Sequence, residues 1–238
     1  KVAVPDDAKP LAWLGFVLPF ASGGFCSFAA VPVGIYLVWY IAAAFKRNSQ
    51  LMLRWNLSTV AILLLPLAYA CSVAWAADKG MAPFGFVHTF PLLLYVLALS
   101  QVAPGERDSV YALLPWGAGE MVLLSFLVGK IPGLQDMVLV NQRLAGFFEY
   151  PNTFAVFLIA ALVLVCTQQN RSWCEYALCA LLIFGVLESG SRGAMLLLVA
   201  VLAAVGIMGR SGKCALLLFC CLAAAAGLYA VLTYFLSG

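Results

Sequence analysis

Apolar runs long enough to cross a bilayer follow one another along nearly the whole chain, separated by short charged or turn-forming breaks. A backbone inside hydrocarbon must satisfy its own N–H and C=O groups, so a chain of this pattern is restricted to a bundle of helices. The runs fall at 11–23, 26–45, 57–77, 83–102, 109–129, 152–168, 173–187, 193–209 and 214–236. The expected fold is therefore all-α, a polytopic transmembrane bundle of about nine spans. The first two runs are broken only by Ser22-Gly23-Gly24, so a short hairpin is the alternative there.

The composition agrees: 65% of residues are hydrophobic, 10% are charged and the mean hydropathy is +1.03. At ~20 residues per span, the 238 residues leave no room for a soluble nucleotide-sugar transferase, nucleotidase or DNA-binding module. Residues 1–238 are expected to form a single transmembrane domain. The net charge of +3 is too small an excess to imply nucleic acid as a partner.

Eight cysteines would suit a disulfide framework, but Cys26, Cys71, Cys166, Cys179, Cys220 and Cys221 lie within apolar runs, and no C-x-x-C pair occurs. They read as small buried packing residues. Asp6-Asp7 is terminal and has no companion ligand, so no metal site is expected. The chain begins at Lys1 without a Met or a signal-peptide pattern, as expected of a processed or truncated chain.

Cation placement orients the bundle. With both of the first two runs spanning, Lys1, Lys9, Lys46, Arg47, Arg54, Arg107, Arg171, Arg210 and Lys213 are expected on one face, and Lys79, Lys130, Arg143 and Arg192 on the other. The richer face is expected in the cytoplasm. Trp13, Trp39, Trp55, Trp75 and Trp173 lie near span ends, as in an interfacial aromatic belt, whereas Trp116 lies deeper. One extracytoplasmic connection, 130–151, is much longer than the others. Two spans separate it from the turn Glu188–Arg192, so both segments are expected on the same face in either orientation.

These two segments hold the strongest candidates. The first runs from Arg143 through Phe148-Glu149-Tyr150-Pro151-Asn152-Thr153 into an apolar helix, with Asn152 expected as its N-cap. A helix start offers unpaired N–H groups and a positive dipole end, and an arginine adds a planar fork of donors. Together these suit phosphate oxygens; the alternative is an arginine snorkelling to headgroups beside a capped helix. The second candidate is Glu188-Ser189-Gly190-Ser191-Arg192-Gly193, where an arginine again meets a helix start. The preceding run is short, which sets this turn below the membrane surface, where a charge must line a cavity or find a partner. Glu188 is the alternative partner for Arg192. Two arginines at two helix starts on one face favour a diphosphate of a membrane-borne substrate.

Two further residues need weighing. Glu120 lies mid-span in LLPWGAGEMVLL, where an intramembrane carboxylate is a functional candidate by default, or a neutral packing residue. His88 is the only histidine and sits near an outer span end, where a structural hydrogen-bonding role is expected.

The stretch RLAGFFEYPNTFAVFL, followed by SGSRGAMLLL, resembles the core signature of the O-antigen ligase/polymerase superfamily, in which R-x-x-G/S-x-F-x-x-P-N-x-x-A precedes an S-R-G/A turn. The Tyr150-Pro151-Asn152-Thr153 form is similar to a Gram-positive variant. The resemblance implies a metal-independent glycosyltransferase, without cofactor, in the bacterial cytoplasmic membrane. Its donor would be a glycan on undecaprenyl diphosphate at the outer face. By the same resemblance Arg143 and Arg192 would hold the diphosphate, with Gly146, Asn152 and Ser191 as further substrate-binding positions. Pro151 and Gly193 would shape the motif. The family's catalytic histidine lies in a later extracytoplasmic loop, so this chain is expected to be the N-terminal membrane part, inactive alone. The rival readings are a transporter or flippase for an anionic or lipid-linked solute, and a scaffold whose arginines bind lipid headgroups. Inverted repeats would favour a transporter, and none is evident.

Overall fold

The computed structural model describes residues 6, 8–21, 27–52, 57–76, 82–148, 150–167 and 172–208, with 222 and 227. Among the described residues the fold is all-α apart from one two-stranded hairpin. Its helices are α1 (Lys9–Val17), α2 (Ser27–Asn48), α3 (Leu57–Ser72), α4 (Ala82–Ser100), α5 (Arg107–Val110), α6 (Leu114–Val128), α7 (Pro151–Thr167), α8 (Trp173–Glu188) and α9 (Arg192–Met208). The apolar runs at 57–77, 83–102, 152–168, 173–187 and 193–209 each hold one helix. The run at 109–129 is broken by a turn at 111–113, and the first run yields only α1 and a 3-10 turn at Leu18–Phe20. The run at 214–236 and the cations Arg210 and Lys213 lie outside the described residues. Among those described, one helical stretch, Pro104–Val128, is long and apolar enough to cross a membrane by length and composition.

Contacts group the chain into two compact units, residues 1–14 with 24–110 and residues 15–23 with 111–238. In the first unit α4 packs against both α2 and α3. Leu11, Leu37, Leu94, Ala98 and Val110 form its core. Arg107 folds back onto the end of α4, donating from Nε to the Val102 carbonyl (3.1 Å) and from Nη2 to that of Ser100 (3.3 Å). A cation there satisfies carbonyls that a helix end leaves without partners. A cavity of about 370 Å³ between α2 and α4 is lined by apolar residues such as Gly34, Phe90 and Leu94. Such a lining has no polar group to orient a substrate.

In the second unit α7 packs against α6, α8 and α9. Phe154, Leu158, Ala161, Leu162 and Val165 are buried at helical spacing, while Asn152, Thr153, Val156 and Ala160 on the other side are exposed. Close helix approach rests on small residues: a Cβ at Gly185 of α8 would lie 2.6 Å from Val122 of α6 and 2.7 Å from Leu158 of α7. At the start of α8 the Glu175 carboxylate accepts from both the N–H and the hydroxyl of Ser172. This is the reach-back half of a capping box.

The burial of cysteines follows expectation only in part. Cys166 and Cys179 are buried, but Cys71 is exposed on α3. An apolar run constrains what a helix contains, whereas the face that packs is decided by its neighbours.

The long connection 130–151 is more ordered than its length suggests. It holds a 3-10 turn at Gln135–Met137 and an antiparallel hairpin of β1 (Leu139–Val140) and β2 (Arg143–Leu144), with Val140 opposite Arg143. The connecting Asn141 and Gln142 have φ of 51° and 63°, as a two-residue turn of the type matched to strand twist requires. Gln142 is strained in this left-handed region, by about 1 kcal/mol. Gln142→Gly should therefore steady the hairpin by that amount. Slower hydrogen exchange at the Ala145 amide, which donates to the Val138 carbonyl at 2.8 Å, would register it. Unchanged or faster exchange would count against the turn.

Candidate anion site at two helix starts

The hairpin presents Arg143. Leu144 and Ala145 beside it are buried and anchor the strand, leaving the half-buried arginine against the starts of α7 and α9. Its Nε donates to the Ser189 carbonyl at 2.8 Å and its Nη2 to the Asn152 Oδ1 at 2.9 Å. The two candidate segments, 46 residues apart at Arg143 and Ser189, thus meet directly at one end of the unit. That end is the one shared by the start of α7 and the finish of α8, as the pair of intervening helices requires.

Each helix start is built differently. Pro151 opens α7, where its fixed φ suits the first turn and its missing N–H costs nothing. Asn152 therefore occupies the second helical position rather than the expected N-cap. Tyr150 supplies the first accepting carbonyl, to the Phe154 N–H at 3.1 Å. At α9 the cap is Ser191, 4% exposed, whose hydroxyl accepts from the Ala194 N–H at 3.3 Å. Ser191, expected as a substrate-binding position, uses its hydroxyl as an acceptor for the first turn of α9 and keeps its own O–H to donate. Arg192 and Gly193 follow, both exposed. The backbone N–H groups of Asn152, Thr153, Arg192 and Gly193 meet no protein acceptor among the described residues.

Ser189 was not foreseen. Fully buried, it donates from its hydroxyl to the Val186 carbonyl (2.6 Å) and accepts from the Ser191 N–H (3.2 Å), shaping the turn whose carbonyl receives Arg143. A main-chain acceptor is available at any residue type, so the sequence carries no signal for this contact. Gly190, at φ +59°, packs beneath the arginine: a Cβ there would lie 3.2 Å from its Nε. Gly146, at φ +61°, lets the chain pass over the Phe154 ring between hairpin and helix.

The remaining candidates separate from this cluster. Glu188 forms no ion pair with Arg192 among the described residues. Lys130, at the end of α6, lies 5.1 Å from the centroid of the Phe126 ring. Glu120 is exposed on the face of α6 that carries Trp116, Leu123 and Leu127. It stands nine residues before Gly129, about 13 Å along the helix from the hairpin end. His88 lies in α4 of the first unit, and its side chain is outside the described residues, as is Glu149.

The cluster offers a planar cation, a second exposed cation and two helix starts with unfilled N–H groups, and among the described residues no carboxylate bonds to either arginine. That donor set suits an anion with several oxygens. No protein-family model matches the chain, and neither a curated protein nor a solved structure matches it significantly.

Proposed function

We propose that this chain is the membrane-embedded part of an O-antigen ligase/polymerase-type glycosyltransferase. In this reading it is a polytopic bundle of about nine spans in the bacterial cytoplasmic membrane. It takes glycan from undecaprenyl diphosphate at the outer face and transfers or polymerises it. An acceptor hydroxyl attacks the anomeric carbon of the first sugar, the bond from that carbon to the diphosphate oxygen breaks, and undecaprenyl diphosphate leaves. The arginines and helix starts stabilise the charge that collects on the leaving group, where preorganised donors act most strongly.

The observation that carries this reading is the hydrogen bond from Arg143 of the first motif to the Ser189 carbonyl of the second. It joins the two sequence signatures in one donor-rich cluster. Exposed apolar side chains such as Ile35, Leu196 and Val199, and exposed tryptophans at the ends of α3 and α8, support the membrane setting.

Cysteine labelling tests the topology. Cysteines at Gln142 and Gly193, both exposed, should react with an impermeant reagent from outside, and one at Asn48 only from inside. Replacing the eight native cysteines, the exposed Cys71 and Cys174 among them, removes the background. Labelling of Gln142 and Gly193 from opposite sides would break the shared site. The companion measurement is binding of undecaprenyl diphosphate to the protein in nanodiscs, with undecaprenol as the uncharged control. Equal retention of the two lipids would remove the anion site and leave the scaffold reading.

A further inference from the structure

Glu120 lies near the middle of α6, exposed, and bonds to no protein group among the described residues. The face around it is otherwise apolar: Trp116, Leu123 and Leu127 are exposed, while Ala118, Met121 and Val122 on the other side belong to the buried core. Residues 116, 120, 123 and 127 follow one another at spacings of four, three and four, the d-a-d-a seam of a helix that packs along a second helix. A single polar residue at an a position of such a seam fixes register and the number of partners. The exposed face of α9, with Leu196, Leu197, Val199 and Ala200, carries no such group and suits lipid as it stands.

We propose that the Trp116, Glu120, Leu123 and Leu127 face of α6 is the contact between two copies of this chain, paired in parallel about a two-fold axis along the membrane normal, with the two Glu120 carboxyl groups meeting at the seam. The proposal rests on the membrane setting above. An ionisable side chain within a membrane lines a water-filled cavity or pairs with a partner, and a tryptophan and two leucines hold water poorly. The partner must therefore present a hydrogen-bonding group at the depth of Glu120. A second copy inserted in the same orientation does so by symmetry, because an isologous contact sets a residue near the axis opposite itself. Two carboxyl groups that hold one proton between them are each other's hydrogen-bond partner.

Cysteine cross-linking in membranes tests the contact. In a background without the native cysteines, Leu123→Cys and Leu127→Cys should each give a disulfide-linked dimer with a membrane-permeable oxidant, and Leu196→Cys, on the exposed apolar face of α9, should not. Equal cross-linking from α9, or no dimer from either α6 position, would overturn the proposal. The part played by Glu120 is read by subunit counting in liposomes over a dilution series. Glu120→Gln keeps a donor and an acceptor and should still pair. Glu120→Leu should weaken association about threefold to twentyfold, the range of an interhelical hydrogen bond in a membrane. Glu120→Lys should stay monomeric alone and pair with the wild type when the two are co-expressed, which also shows that the variant folds. Undiminished pairing by Glu120→Leu, or by Glu120→Lys alone, would overturn the proposal as well. Failure of the membrane setting reads differently: Leu196→Cys would then react with an impermeant thiol reagent, whereas its protection without any α6 dimer refutes the pairing alone.

Discussion

On the proposed function, Arg192→Ala should lower glycan transfer about 100-fold to 1,000-fold, the range seen when one preorganised donor to a developing anion is removed. The change should be nearly silent in folding. Arg192 is exposed and bonds to no protein group among the described residues, so its loss strands no buried acceptor. Ser191 still caps α9 through its own hydroxyl and carbonyl. Arg192→Lys should fall between, because an ammonium retains the charge but cannot present two parallel donors to one phosphate. The measurement is transfer of a labelled glycan from undecaprenyl diphosphate in membranes, alongside thermal unfolding of the same variants. His88→Ala, outside both motifs, is the control expected to transfer normally. Wild-type transfer by Arg192→Ala would return this arginine to the role of a headgroup anchor.

Gly146→Ala should strongly destabilise the second unit, through backbone strain and a core clash together. At φ +61° an L side chain is disfavoured, by about 1–2 kcal/mol. The new Cβ would also lie 2.8 Å from Cε2 and 3.0 Å from Cδ2 of the Phe154 ring. That ring is fully buried and stacks on Phe148 at 5.8 Å between centroids, so it cannot move aside without disturbing the core. Overpacking of this kind adds about 1–3 kcal/mol. The sum, roughly 2–5 kcal/mol, should lower the thermal midpoint by about 10 °C. Transfer should fall with it, since Gly146 links the hairpin that carries Arg143 to the start of α7. Gly193→Ala is the matched control, with nothing within 4 Å of its Cβ and no positive φ. Equal midpoints for the two variants would contradict the turn over Phe154.

The helices were legible because their signal is local. The apolar runs at 152–168 and 173–187 end within a residue or so of α7 and α8, where proline opens one and the Ser172/Glu175 pair the other. The adjacency of the two motif segments was legible too, for two consecutive helices return the chain to the face it left. The hairpin was not. Asn141-Gln142 lacks the glycine that would advertise its turn, and Gln142 holds a positive φ only because the flanking residues Val138 and Leu144 are anchored in the core. Asn152 has the chemistry of an N-cap, but Pro151 moved the helix start two residues earlier than that and left the Asn152 side chain to Arg143.

The amino-acid sequence by itself determined the class of fold, the order of the helices along the chain, and which residues could supply charge and donors at the ends of α7 and α9. Those properties depend on composition and on spacing along one strand of chain. Tertiary structure alone decided the division into two units, the face each helix buries and the unequal surroundings of the two arginines. The acceptor that holds Arg143 is the backbone carbonyl of Ser189, and a backbone carbonyl becomes a specific partner only when folding brings it within 2.8 Å of a donor.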